Sequence, residues 1–157
     1  MPAQGKISAG ILLWRSQAGI LEVLLVHPGG PFFRKRDAGS WTIPKGEIEH
    51  AAEALLERAL IEFQEELGAP APEGPFVPLG SIVQKGGKTV HAWACQGDFT
   101  GPPRSNSFSC EWPPRSGRMQ EFPEIDRAEW FGLPAARGKI NPAQVAFLEA
   151  LAGLVSG

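Results

Sequence analysis

At 157 residues the chain has the size of one ordinary domain with a substantial core, and a single domain over residues 1–157 with one active site is expected. Lys and Arg number 15 against 17 Asp and Glu, a formal charge of −2, which leaves no general basic surface for a nucleic-acid polymer. No apolar run approaches the roughly 18 residues of a bilayer span, and the opening MPAQGKISAG lacks a signal-peptide core, so a cytoplasmic location with no membrane partner is expected.

Residues 6–15 and 20–27 read as strands of β-favouring residues separated by Gln17-Ala18-Gly19, which predicts a hairpin. The run Leu21-Glu22-Val23-Leu24-Leu25-Val26 is almost continuously apolar, as in a strand buried on both faces in mid-sheet. Residues 28–40, PGGPFFRKRDAGS, form a punctuated loop with a basic patch at Arg34, Lys35 and Arg36. A strong helical pattern follows within residues 46–69, with Leu55, Leu56, Leu60, Phe63 and Leu67 as its apolar contacts and Gly68 where a C-cap glycine belongs. After a proline-rich connection, residues 76–84 and 89–96 read as a second hairpin turning at Gly86-Gly87. Residues 99–118, rich in Pro, Ser, Gly and Arg, are too long for a turn and are expected as a substrate loop over the site, and residues 120–124 as more polar loop. Glu129-Trp130-Phe131 marks a late strand. Asn141 as N-cap and Pro142 at the first helical position open an amphipathic helix over residues 143–154. Strands on both sides of a long helix, with a second helix closing the chain, give an α/β fold: a three-layer α/β/α sandwich around a mixed sheet. Cys95 and Cys110 lack metal-type spacing and are expected as reduced thiols, a disulfide being the minor alternative.

Glu62, Glu65 and Glu66 fall within about a third of the helix circumference at roughly 100° per residue. Like charges three and four residues apart repel, so the cluster makes physical sense when a cation or basic side chains neutralise it. Carboxylate oxygens suit Mg²⁺ or Mn²⁺. An isolated ExxEE is more often a solvated helix face, so the flanking residues carry the weight here.

Those flanks, Trp41-Thr42-Ile43-Pro44-Lys45-Gly46-Glu47 before the helix and Gly68-Ala69 after it, resemble the Nudix hydrolase family. The Nudix box runs glycine, five residues, glutamate, seven residues, then Arg-Glu-apolar-x-Glu-Glu-x-Gly-apolar. Gly46 matches its first glycine, Glu53 its isolated glutamate, and Glu62, Phe63, Glu65, Glu66, Gly68 and Ala69 the remainder. Two departures stand out. Six residues separate Gly46 from Glu53, and Ile61 occupies the arginine position. Arg58 lies one turn before Glu62, so a compensating i, i+4 pair is geometrically available, with an ordinary surface pair as the alternative.

The resemblance implies the same sandwich and a metal-dependent attack of water on phosphorus, cleaving a nucleoside diphosphate linked to another group. It implies that Glu62, Glu65 and Glu66, with the backbone carbonyl of Gly46, hold Mg²⁺ or Mn²⁺, and that Glu53 stands beside them. A separate general base is sought in Glu124 or Glu121. Lys45 and Arg34, with Lys35 and Arg36, are candidates for holding phosphates. Phe32, Phe33, Trp93, Phe108 and Trp112 could stack on a base. Loop residues Phe33 and Trp112 are favoured, and Trp93 reads as core. The Trp-x-x-Pro-Lys-Gly lead-in looks like that of Nudix members acting on dinucleoside polyphosphates. The expected partner is a small nucleotide, and a homodimer is compatible because Nudix relatives are often dimers. A nucleotide-binding or regulatory module without turnover is the main competitor, motivated by Ile61 and the added loop residue. Isomerase chemistry on a diphosphate is the third reading.

Overall fold

The computed structural model describes residues 6–50 and 54–156. Strand β1 (Ile7–Gln17) turns at Ala18-Gly19 into β2 (Ile20–Pro28), with Trp14 opposite Val23 and Gln17 opposite Ile20, which is the expected hairpin. A short β3 (Lys45–Glu47) lies antiparallel to β1 with Gly46 opposite Ala9, and leads toward helix α1 (Leu55–Leu67). Strands β4 (Val77–Val83) and β5 (Thr89–Gln96) form the second expected hairpin, and β5 runs parallel to β1 from Ile7↔Thr89 to Trp14↔Gln96. A parallel neighbour requires a crossover connection, which the segment containing α1 provides. Strand β8 (Ile125–Gly132) pairs antiparallel with β2, so the order β4-β5-β1-β2-β8 makes a mixed sheet with β3 beside β1.

Side chains alternating across the two central strands divide the core in two. Ile11 and Leu13 of β1 with Leu24 and Val26 of β2 pack against Ala59, Phe63 and Leu67 of α1. Leu12, Val23 and Leu25 point the other way, onto Phe147, Leu148 and Leu151 of helix α3 (Val145–Ser156) and Ala136 of helix α2 (Leu133–Lys139). Residues 23–26 are fully buried, as their unbroken apolar run predicts. The result is the three-layer sandwich expected from sequence. Gly68 closes α1 at φ 77°, with its N–H donating to the Gln64 carbonyl.

Three elements depart from the sequence reading. Residues 99–118 are not one loop, and residues 120–123 are strand, with only Glu124 left in a bend. Strands β6 (Ser107–Glu111) and β7 (Met119–Pro123) form a separate two-stranded sheet, with Phe108 opposite Phe122. Ser107–Glu111 does alternate with a period of two, but the Pro, Gly, Ser and Arg around it gave the segment a loop-like composition. Helix α2 was unread because Pro134 and Gly138 punctuate it, although Pro near a helix start is favourable. The last helix begins with a 3₁₀ turn (Pro142–Gln144), which Asn141 caps by accepting from the Ala143 N–H at 2.9 Å.

Candidate active site

One face of α1 is committed to the core, which leaves Glu62, Glu65 and Glu66 on the flank that meets β3. There a Cβ at Gly46 would overlap the carboxylate of Glu62, so the glycine lets backbone and carboxylate approach closely, and a larger residue would push that side chain aside. One residue earlier, the backbone N–H of Lys45 donates to Oε1 of Glu66 at 3.2 Å. Two of the three acids are thus seated on the backbone of β3, while Glu65 stays exposed.

Burial, and then the neighbouring charge of Glu65, push the Glu62 carboxyl up to about 7 against the pull of Arg58. Burial pushes Glu66 up to about 8, with Lys45 opposing and Glu62 and Glu124 adding to the rise. Burial also lowers Lys45, whose ammonium is crowded further by Lys88. Carboxyls that retain protons near neutrality for want of neutralising charge are where a hard divalent cation displaces a proton. Oxygen donors on a helix face, beside a glycine that leaves room for the backbone, fit such an ion. Among the described residues, no three His, Cys, Asp or Glu side chains are already gathered as a metal-ready group. Glu53 lies outside the described residues.

Arg58 is buried, at 7% exposure. Its Nη1 lies 3.6 Å from Oε1 of Glu62, and Nη2 lies 3.8 Å from Oε1 of Glu49. The pair available from spacing is therefore formed, and it is not a surface pair. Ile61, at 44% exposure, points outward and makes no such contact possible from the family's arginine position. Glu124 sits between β7 and β8, its N–H donating to the Asn106 carbonyl and its own carbonyl accepting from the Gly29 N–H, both at 2.8 Å. Its charge reaches both Glu62 and Glu66. Glu121 lies instead within β7, opposite Ser109, and is exposed.

A cavity of about 310 Å³ is lined by Lys45 of β3 together with Phe33, Arg36, Gln84, Asn141 and Gln144. Its size suits a small ligand. Arg36 stands 5.7 Å over the Phe33 ring. Their loop is fastened from below by fully buried His27, whose Nε2 lies 2.6 Å from the Arg36 carbonyl and Nδ1 2.8 Å from Asp126. Of the residues suggested for the substrate, Lys45 and Phe33 line this cavity, and Arg36 joins them where Arg34 was favoured. Arg34 and Lys35 are exposed. Trp112 is elsewhere, edge-to-face with Phe32 at 5.6 Å, and Phe108 packs near Phe122 at 6.1 Å. Trp93 is half-buried against the α1-side core. Sequence reasoning missed Gln84, Gln144 and His27, and read Asn141 only as a cap. A polar residue ending an apolar strand was the available signal for His27.

A model of the NUDIX domain matches residues 5–151. No similar sequence is found among curated proteins. Among solved structures, the chain resembles a C. elegans Ap4A hydrolase in a binary complex with TM-score 0.66 and 19% identity, covering 97% of this chain and 98% of that one. It also resembles the NUDIX domain of Shewanella oneidensis NrtR, solved with ADP ribose, with TM-score 0.65, 15% identity and coverage of 99% and 90%. A NUDIX hydrolase from Nitrosomonas europaea follows at TM-score 0.61, 16% identity and coverage of 96% and 90%. At these identities the structures speak for the fold, and the domain match over almost the whole length speaks for descent: the chain belongs to the Nudix family of hydrolases acting on pyrophosphate bonds.

Proposed function

We propose that the protein is a divalent-metal-dependent pyrophosphohydrolase that cleaves a nucleoside diphosphate linked to another group by attack of water on phosphorus. The observation that carries this reading is the seating of Glu62 against Gly46 and of Glu66 on the Lys45 N–H, with both carboxyls raised. Glu62, Glu65, Glu66 and the Gly46 carbonyl would hold Mg²⁺ or Mn²⁺, with Glu53 alongside. When bound, such an ion neutralises charge on the phosphoryl oxygens and lowers the pKa of a water. Arg58 orients Glu62. Glu124, whose charge reaches Glu62 and Glu66 from the β7–β8 junction, would accept the proton of the attacking water, and Lys45 and Arg36 would neutralise phosphates. Phe33 gives the non-reacting group a planar wall. A dinucleoside polyphosphate fits this arrangement, and the Trp41 to Gly46 lead-in favours it. No described helix is long and apolar enough to cross a membrane, and the cytoplasm supplies such nucleotides.

The alternative, a nucleotide-binding module without turnover, is favoured by one observation: no metal-ready group of three side chains is gathered among the described residues. One experiment decides between them. Dinucleoside polyphosphates, ADP-ribose, nucleotide sugars and nucleoside triphosphates are incubated with Mg²⁺ or Mn²⁺, with Glu66→Gln in parallel. The hydrolase reading expects metal-dependent release of nucleotide, reduced at least about 100-fold in a variant that keeps the side-chain volume. Wild-type rates in Glu66→Gln would sink the metal assignment, and nucleotide binding with no turnover of any compound would leave the module.

A further inference from the structure

The amides lining the cavity behind Lys45 cannot be oriented freely, because Gln144 and Asn141 are each pinned by a backbone N–H and Gln84 is pinned in turn by Gln144. The N–H of Ile43 donates to Oε1 of Gln144 at 3.0 Å, so that atom is the oxygen. The Gln144 amide nitrogen then donates to Oε1 of Gln84 at 2.8 Å and to Oγ1 of Thr42 at 3.3 Å. With its oxygen so engaged, Gln84 offers the cavity its Nε2, which can only donate. Asn141 repeats the pattern independently: its Oδ1 accepts from the Ala143 N–H at 2.9 Å, leaving Nδ2 as the donor. Arg36 and Lys45 are also donors only, the Thr42 hydroxyl is engaged with Ile43 and Gln144, Ser40 adds a hydroxyl that can donate or accept, and among the described residues no carboxylate lines the cavity. Gln144 is fully buried, so this network is part of the fold and not a surface accident.

A ligand that satisfies this wall presents acceptors. Among purines, the O6 and N7 edge of guanine or hypoxanthine is acceptor-only, whereas adenine puts an N6 amino donor beside N7. Phe33 supplies a flat apolar face for a ring, which a phosphate would not use. Resting on the proposed hydrolase reading, we propose that this cavity is the base pocket of the substrate, and that Gln84 and Asn141 select a 6-oxopurine over adenine through its acceptor edge.

The test compares GDP, IDP and ADP binding by calorimetry, and kcat/KM for the corresponding dinucleoside tetraphosphates, in wild type, Gln84→Glu and Asn141→Asp. Both substitutions keep the oxygen that the chain uses and convert the outward donor into an acceptor. Wild type is expected to bind GDP and IDP alike and at least about tenfold better than ADP. Each variant is expected to shift the ratio toward ADP by about tenfold. A wild-type preference for ADP, equal binding of all three, or no binding overturns the inference. So does an equal loss for every nucleotide in Gln84→Glu, which would mean that the cavity holds phosphate. Should one variant fail to fold, the wild-type ranking and the other variant still decide. Base-selective binding without turnover would sink the hydrolase reading alone, and turnover without base preference would sink this one alone.

Discussion

Gly46 and Arg58 bear on the same carboxylate from opposite sides, and their effects should separate. A Cβ at Gly46 would displace the Glu62 carboxylate, so Gly46→Ala is expected to lose Mn²⁺ affinity at least about tenfold while the protein still folds, measured by Mn²⁺ titration followed by electron paramagnetic resonance. Retained affinity would mean that the backbone there is not near the ion. Arg58 acts differently, holding its guanidinium between Glu62 and Glu49 in a buried position. Its removal leaves Glu62 facing Glu65 with less compensation. Arg58→Ala is therefore expected to lower kcat by about 10- to 100-fold, with Arg58→Lys recovering only part, because an ammonium lacks the planar fork that spans two carboxylates. Equal rates in all three proteins would reduce Arg58 to a packing residue.

Elements differ in how openly the sequence announces them. The two large hairpins were legible because β-favouring runs flank clear turn residues, α1 because its apolar residues recur at helical spacing, and the acids because a helix brings positions 62, 65 and 66 together by itself. Strands β6 and β7 bury little on either face, so their composition resembled loop. The cavity was illegible for another reason. Gln84 and Gln144 meet across 60 residues of chain, and Gln144 reaches Ile43 across 101, separations that no local pattern encodes. Gln144 thereby ties α3's entry turn to the segment leading into β3. Gln144→Leu leaves the Ile43 N–H and the Gln84 oxygen without this partner, and is expected to cost about 1–3 kcal/mol in urea unfolding. A cost near zero would show that water replaces the amide fully.

At the scale of the whole molecule, the raised carboxyls couple stability to both pH and metal. In the unfolded chain Glu62 and Glu66 titrate near the ordinary 4.5, but in the folded, metal-free protein near about 7 and about 8. Between those limits the folded state binds more protons than the unfolded one, so stability falls as pH rises. The contribution of the two groups is therefore fully present below about pH 4.5 and is lost by about pH 8. Other acids act in the opposite sense: Asp37, lowered chiefly by its hydrogen bond from Lys139, and Glu149, lowered by Arg137, are exposed, and their stabilisation is complete above the ordinary carboxylate range. From pH 6 to 8 the site carboxyls thus set the slope. A divalent cation takes the place of the protons, so Mg²⁺ is expected to raise Tm little at about pH 5.5 and progressively more toward pH 8.5. Thermal unfolding across that range, with and without Mg²⁺, measures it directly. Glu66→Gln should flatten the metal-free decline and diminish the Mg²⁺ increment together, since one carboxyl accounts for part of both. A variant that flattened the decline but kept the full Mg²⁺ increment would place the ion elsewhere.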